Sequence, residues 1–259
     1  MIKTLNFPDI DLSNYHSSAQ RIRKLTEAYI SENGYCQICG SSITQYPNNH
    51  PCGDFFCKNC HEDYELKSKK NKFGGKIVDG EYNKMIKKIN SDKPSNFFFL
   101  AYKDGAVVDL FTIPKFFFTP AIIEKRKPLS ENARRAGWVG CNILYNNLPD
   151  SAKIFYIKNS EIINQTDVLE NYNRISFVAE KPTKSKGWLL DVMFIIESLH
   201  KDIFELDDVY KFIEFFRSQH PNNNHIQDKI RQQLQFLRDK GFIEFIGRGK
   251  YKLINKVYI

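Results

Sequence analysis

Four cysteines in two CxxC pairs have the residue type and spacing of a metal site. Cys36–Cys39 and Cys57–Cys60 are separated by 17 residues, as in four-thiolate zinc sites. Four thiolates complete a tetrahedron around the ion and leave no position for water. We therefore predict a structural zinc ion held by Cys36, Cys39, Cys57 and Cys60, with a redox CxxC as the alternative. Cys52 and Cys141 lack such a partner and are expected to be small buried residues outside the site.

Residues on either side of the second cysteine pair could hydrolyse a phosphodiester. Asp54 lies just before this pair and Glu65-Leu66-Lys67 just after it, with ten residues between Asp54 and Glu65. This is the arrangement of a PD-(D/E)xK nuclease core. Side chains alternate along a strand, so Glu65 and Lys67 would project from one face. If Asp54 starts the neighbouring strand, its carboxylate, the Glu65 carboxylate and the Leu66 carbonyl can hold Mg²⁺.

The chemistry expected of this arrangement is metal-assisted hydrolysis. Mg²⁺ would polarise the phosphate and lower the pKa of a bound water, while Lys67 would orient the nucleophile and offset developing negative charge. A solvated charged face is the alternative, because residues 67–72 are rich in lysine. Two observations favour the nuclease. The second cysteine pair falls where the turn between the catalytic strands belongs, and the lysine-rich stretch is placed where DNA phosphates would lie.

Longer blocks of the sequence carry a family resemblance. In the first part of the chain they are residues 54–57, 65–70, 96–100, 126–129 and 133–138. Near the end they are residues 223–226, 229–235 and 247–251. In these blocks the chain resembles the DpnI family of methyl-directed (type IIM) restriction endonucleases. The resemblance covers nearly the whole sequence.

The resemblance implies cleavage of double-stranded DNA at GATC sites whose adenine carries an N6-methyl group. It also implies an N-terminal PD-(D/E)xK domain with an inserted zinc module, a C-terminal winged helix, and Mg²⁺ as the catalytic ion. Asp54, Glu65 and Lys67 fall on the catalytic positions, and the four paired cysteines fall on the zinc ligands. Gly53 stands where the motif has proline; it is not a ligand, and we expect little consequence.

Two helices are predicted in the part of the chain that must position these residues. Ser17 or Ser18 can cap the first, which would end at Gly34. Asp79 can cap the second. Its apolar face would consist of Tyr82, Met85, Ile86 and Ile89.

Extended runs at residues 64–67, 97–102 and 106–113 predict strands, and Lys103-Asp104-Gly105 predicts a hairpin between the last two. The phenylalanine triplets 97–99 and 116–118 are expected to be buried strands and core. The fold class is therefore α/β with a central sheet.

Residues 181–187 are polar and basic and contain Pro and Gly, so we place the domain linker there, between domains 1–181 and 182–259. Apolar periodicity after it predicts helices over 189–199, 209–216 and 226–237. Residues 242–246 and 251–254 would then form a hairpin with a basic tip. This order is typical of a winged helix.

Polar residues of the third helix and the wing are candidates for DNA contacts. The start of that helix would enter the major groove, where Asn and Gln pair with adenine and Arg with guanine. Trp138, after two arginines, offers an apolar face for a methyl group or a wedge between bases. The predicted DNA-binding residues are Arg134, Arg135, Trp138, Asn223, Asn224, His225, Arg231, Gln232, Gln233, Arg248 and Lys250. For the polar residues, the alternative is solvated surface; for Trp138, it is core packing.

Composition and charge set the remaining expectations. The chain has 42% hydrophobic residues and a formal charge of +8, which favours a folded protein with a polyanionic partner. No apolar run is long enough to span a bilayer and no secretory signal is visible, so we expect a cytoplasmic protein without membrane contact. With one catalytic motif per chain, we expect a monomer in solution that nicks the strands in turn. A transcription regulator without nuclease activity and a zinc redox or chaperone module are the alternatives.

Overall fold

The structure is a computed structural model that describes residues 2–47, 50 and 53–254. Its helices are α1 (Ser18–Asn33), α2 (Tyr82–Ile89), α3 (Gln165–Ile175), α4 (Thr183–Ser198), α5 (Leu206–Tyr210), α6 (Ile213–Gln219) and α7 (Ile226–Asp239). Short 3-10 turns cover Lys115–Phe117, Pro120–Ile122, Tyr145–Asn147, Asp150–Ala152 and Ser176–Glu180.

Thirteen strands are described. They are β1 (Ile43–Gln45), β2 (Phe55–Cys57), β3 (Asp63–Lys70), β4 (Ile77–Glu81), β5 (Asn96–Lys103), β6 (Ala106–Ile113), β7 (Ile123–Lys125), β8 (Gly140–Ile143), β9 (Ile154–Lys158), β10 (Glu161–Ile162), β11 (Ile203–Glu205), β12 (Ile243–Gly247) and β13 (Lys250–Leu253).

The residues cluster into two compact units. The first comprises Met1–Gly74, Lys87–Lys115 and Lys153–Asn173. The second comprises Gly75–Ile86, Phe116–Ala152 and Arg174–Ile259.

The first unit contains a seven-stranded sheet in the order β1-β2-β3-β5-β6-β9-β10. β3 and β5 run parallel, and all other neighbours are antiparallel. The predicted hairpin joins β5 to β6, with positive φ at Asp104 and Gly105 as a primed turn requires. Phe97–Phe99 are buried in β5. The α/β fold class with a central sheet is confirmed.

Helix α1 begins and ends as predicted. The Ser17 hydroxyl accepts a hydrogen bond from the Gln20 N–H at 3.2 Å, and the Gly34 N–H donates to the Ile30 carbonyl. The prediction for α2 was wrong about its cap, because Asp79 lies in β4 and its carboxylate accepts from the Gly80 N–H. The apolar face of α2 was predicted correctly, since Met85 and Ile89 are buried.

The second unit contains two three-stranded sheets, β4-β8-β7 and β11-β13-β12. The latter, with helices α4 to α7, forms the predicted winged helix around fully buried side chains such as Phe204, Phe216 and Leu234. β11 was not predicted, since three residues are too few for a periodic signal. The Phe116–Phe118 triplet is buried, but it lies at a 3-10 turn and not in a strand.

Two helix boundaries in the winged helix differ from the prediction. α4 begins at Thr183, so most of the segment predicted as a linker is helical. Pro182, with a φ of −58°, is suited to the residue before a helix, and lysine favours the helical state. The predicted helix over 209–216 is two short helices, α5 and α6, interrupted at Lys211 and Phe212.

Candidate nuclease active site and DNA-binding surfaces

The four paired cysteines converge on one point. Their sulfur atoms all lie within 4.8 Å of one another. The separations are 3.4 Å for Cys36–Cys60, 3.5 Å for Cys39–Cys57 and 3.8 Å for Cys39–Cys60. Sulfurs at zinc–thiolate distance around a tetrahedral ion lie about 3.8 Å apart, so the cluster fits a zinc ion. Cys141 is buried outside the cluster, as expected, and Cys52 lies outside the described residues.

Hydrogen bonds from the protein prepare Cys36 for metal binding. The Ile38 N–H donates to the Cys36 sulfur at 3.4 Å, and the Tyr64 hydroxyl lies 3.1 Å from it. Burial raises the pKa of the Cys36 thiol to about 11 against these donors. A divalent ion would reverse that preference by binding the thiolate and releasing the proton.

The structure brings Asp54, Glu65 and Lys67 together at the sheet. β2 begins directly after Asp54 and pairs with β3, which carries Glu65 and Lys67. The Leu66 N–H donates to Asp54 Oδ2 at 2.8 Å, and Lys67 Nζ lies 3.4 Å from Glu65 Oε2. Glu65 and Lys67 therefore share a face, and Asp54 is fixed against the same strand. Leu66 is only half-buried; the fully buried neighbour is Tyr64.

Asp54 is in an environment that suits a cation ligand. Burial raises the pKa of its carboxyl group above the usual value; the Leu66 N–H opposes this, and the charge of Glu65 adds to it. A divalent cation between the two carboxylates would remove the repulsion. Gly53 has a φ of +156°, which proline cannot adopt, and a Cβ there would lie 2.7 Å from the Tyr64 carbonyl oxygen. Glycine at this position permits the close approach of Asp54 to β3.

A second lysine, not predicted from the sequence, contacts the same carboxylate. Lys88 Nζ lies 2.5 Å from Glu65 Oε1, so that each oxygen of Glu65 faces one lysine. The three side chains are about one-fifth exposed, which leaves the cluster accessible. Lys88 could not be found by motif, because it is 23 residues from Glu65 in the chain and lies among other lysines of α2.

In the second unit, residues 126–138 form a basic loop closed by backbone hydrogen bonds from the Leu129 N–H to the Trp138 carbonyl and from the Gly137 N–H to the Leu129 carbonyl. Arg134 and Arg135 are exposed. The Arg135 guanidinium lies 4.7 Å from the centre of the Trp138 ring, whose edge packs against Gly140. Trp138 is thus half-buried and contacts its own loop. It is less buried than a core residue and more constrained than a solvated one.

The start of α7 and the turn before it carry several of the predicted DNA-binding residues. Asn224, His225, Arg231 and Gln232 are exposed. Asn223 is half-buried, and its side-chain oxygen accepts from the His225 N–H at 2.8 Å in the turn that starts the helix. On the wing, Arg248 is exposed and Lys250 pairs with Glu205 at 3.1 Å.

Gln233 differs from this set because its side chain is only 5% exposed and packs on the inner face of α7. Its Oε1 atom is buried without a hydrogen-bond partner. Burial argues against the predicted base contact. Helical periodicity already indicated this, since Gln233 lies three residues after the apolar Ile230 and directly before Leu234.

Two charged residues on the same surface of α7 were missed. Lys229 Nζ donates to Gln232 Oε1 at 3.0 Å, and Asp228 lies 3.9 Å from Arg231. Both contacts join residues three apart, a spacing that brings side chains together on a helix. These contacts prearrange Arg231 and Gln232 on the surface.

These features define a nuclease-like α/β unit with a four-cysteine module, together with a helix-turn-helix domain. The sequence matches the DpnI model, described as the Dam-replacing family, over residues 4–181. It matches the model of the Dam-replacing helix-turn-helix domain over residues 184–253. The chain belongs to the Dam-replacing family. Membership supports a methyl-directed restriction endonuclease that binds DNA. Within the described residues, no helix combines the length and apolar character needed to cross a bilayer.

Proposed function

We propose that the protein is a type II restriction endonuclease that cleaves double-stranded DNA at GATC sites carrying N6-methyladenine. The observation that carries the proposal is the Asp54–Glu65–Lys67 cluster, in which Asp54 is bound to the backbone of the strand bearing the other two. Family membership supplies the methyl-directed class. In this proposal the enzyme acts as a cytoplasmic monomer, with residues 1–181 as catalytic domain and residues 182–259 as winged helix.

Asp54, Glu65 and the Leu66 carbonyl would hold Mg²⁺, which supplies Lewis-acid activation of the phosphate and of the attacking water. Lys67 lies beside Glu65 and can donate hydrogen bonds to a phosphate oxygen or orient the water. Lys88, on the other oxygen of Glu65, adds a second positive charge to offset the charge that develops on phosphorus-bound oxygens.

DNA recognition is assigned to three surfaces of the second unit. Arg231 and Gln232 on α7, and Asn224 and His225 in the turn before it, are exposed where a recognition helix reads base edges, and Asn223 lies in the same turn. Arg248 and Lys250 on the wing would contact phosphates. Arg134, Arg135 and Trp138 in the basic loop would contact the backbone and the methylated base. The four-cysteine module would hold structural Zn²⁺.

The test is digestion of one plasmid prepared from adenine-methylating and from non-methylating hosts, with Mg²⁺ or with EDTA. We expect cleavage at GATC of the methylated plasmid alone, only with Mg²⁺, and none by Lys67→Ala. Binding of both plasmids without cleavage would instead indicate a transcription regulator. Zinc-dependent thiol reactivity without DNA binding would indicate a redox or chaperone module.

A monomer with one active site should cut the two strands in separate events. At low enzyme concentration we therefore expect a nicked plasmid intermediate before the linear product. A time course analysed by gel electrophoresis would show it. Direct conversion of supercoiled to linear plasmid would show that two active sites assemble on the DNA.

A further inference from the structure

Tyr64 contacts the cysteine cluster through its side chain and the backbone of the catalytic Asp54 through its carbonyl. Its hydroxyl lies 3.1 Å from the Cys36 sulfur. Its carbonyl accepts the Asp54 N–H at 2.9 Å, and it directly precedes Glu65 in β3. Tyr64 is fully buried, so neither of these contacts competes with water.

The neighbour of Cys36 provides a second connection from the cysteine cluster to the sheet. Gln37 is fully buried, and its amide donates to Asn96 Oδ1 at 2.9 Å and accepts from the Thr112 hydroxyl. Asn96 in turn donates to the Asp63 carbonyl at 3.2 Å and to Glu62 Oε2 at 2.9 Å. The first CxxC turn is therefore joined to the start of β3 and to the strands beside it, β5 and β6.

We infer that Tyr64 is a positioning residue that makes the geometry of the Asp54–Glu65 pair depend on the four-cysteine cluster. A thiolate bound to a metal accepts only, so the Tyr64 hydroxyl must donate to it, which fixes the ring. Because Tyr64 directly precedes Glu65 in β3 and its carbonyl accepts the Asp54 N–H, a fixed ring also constrains where the two carboxylates lie. The catalytic role of the Asp54–Glu65 pair rests on the proposed function. The connection between this pair and the cysteine cluster does not.

The chain offers a matched control for this contact. Tyr35 is also a fully buried tyrosine, and its hydroxyl is buried without a hydrogen-bond partner, although it precedes the ligand Cys36. Tyr64→Phe and Tyr35→Phe thus each delete one buried hydroxyl near the cluster. Only the first removes a hydrogen bond to a sulfur ligand.

The experiment makes two measurements on each variant. The rate of zinc release is measured with a colorimetric chelator, and Mn²⁺ binding is measured from the electron paramagnetic resonance signal of free Mn²⁺. Asp54→Asn identifies the Mn²⁺ bound at the catalytic pair. For Tyr64→Phe we expect zinc release about tenfold faster, as for the loss of a hydrogen bond to a metal ligand, and weaker Mn²⁺ binding. Tyr35→Phe should match the wild type in both.

Equal behaviour of the two variants would overturn the inference, and so would faster zinc release with unchanged Mn²⁺ binding. If Tyr64→Phe is unstable, hydrogen–deuterium exchange of residues 62–67 in the native protein decides, because chelation of zinc should deprotect this segment before the rest of the sheet. An equal loss of protection across the whole sheet would contradict the inference. Neither metal measurement needs cleavage, so a protein that binds but does not cut DNA still tests the connection.

Discussion

The catalytic strand β3 and the recognition helix α7 hold their polar residues in opposite ways. Beside β3, the Asp54 carboxylate accepts the Leu66 N–H, and on β3 both oxygens of Glu65 are paired with lysines. On α7, Arg231 and Gln232 are exposed: Arg231 lies 3.9 Å from Asp228 and 5.8 Å from the centre of the Tyr210 ring, and Gln232 accepts a hydrogen bond from Lys229. The first arrangement is held by contacts of partly buried side chains, whereas the second leaves its side chains exposed to a binding partner. Substitutions should therefore separate chemistry from affinity.

The largest effect is expected for Lys67→Met. Loss of a charge that stabilises the transition state should lower single-turnover cleavage about 10²- to 10³-fold, with little change in the Kd for DNA. Lys69 lies on the same face of β3 and is exposed, so Lys69→Met is the matched control and should cleave at the wild-type rate when DNA saturates the enzyme. Equal losses in the two variants would show that only general basic charge matters.

A smaller loss is expected for Lys88→Gln. Removal of the second cation on Glu65 should slow cleavage about tenfold or more, because a neutral amide offsets less developing charge. Lys87→Gln removes the adjacent exposed lysine of α2 and should have no such effect. Single-turnover rates over a range of Mg²⁺ concentrations distinguish slower chemistry from weaker metal binding. If Lys88→Gln cleaves like Lys87→Gln, the ion pair with Glu65 is only structural.

On α7 the effect should lie in affinity. Arg231→Ala is expected to weaken binding to a methylated GATC duplex by about 1–3 kcal/mol and to leave the cleavage rate at saturation unchanged. Arg238→Ala removes a cation from the last turn of the same helix, where Arg238 pairs with Asp239, and should bind almost normally. Titrations by fluorescence anisotropy measure both. A lower saturating rate in Arg231→Ala would assign it to the chemistry as well.

Gln233 tests whether a buried residue of α7 takes part in DNA binding. Gln233→Leu replaces a buried, partly unsatisfied amide and should raise stability by about 1 kcal/mol, with DNA affinity unchanged. Gln232→Leu, at the exposed position next to it, should lose affinity without gaining stability. Thermal melts and binding titrations decide between these outcomes. Loss of affinity in Gln233→Leu would restore it as a DNA contact.

A further effect, separate from DNA binding and cleavage, is a pH dependence of the stability of the second unit. Burial raises the pKa of Glu197 to about 7 against the hydrogen bond that the Ser151 N–H donates to Glu197 Oε2 at 3.0 Å. The folded protein then holds the proton more tightly than the unfolded chain, where the pKa is 4.5. Stability from this group is full below about pH 4.5 and is lost as the pH rises through about 7. As the pH rises from about 4.5 through about 7, the melting temperature of the wild type should fall relative to that of Glu197→Gln. Parallel curves would contradict this expectation.

Residue spacing in the sequence predicted those parts of the site whose residues are near one another along the chain. The CxxC pairs, the Asp54–Glu65–Lys67 arrangement and the caps of α1 are local patterns whose geometry follows from a turn, a strand or a helix end. Lys88 and the Gln37–Asn96–Thr112 hydrogen bonds join distant segments, and only the folded sheet brings them together. At Gln233 two local signals disagree: its residue type favours a base contact, whereas its place on the inner face of α7 argues against one.

The most direct test of the account uses a short duplex with one GATC site, methylated or not, and compares wild type with Asp54→Asn. Asparagine keeps an oxygen that can accept the Leu66 N–H but loses the charge that would hold Mg²⁺. We predict single-turnover cleavage of the methylated duplex by wild type only, and equal binding of that duplex by both proteins. Comparable cleavage by Asp54→Asn, or cleavage without methylation, would contradict the account.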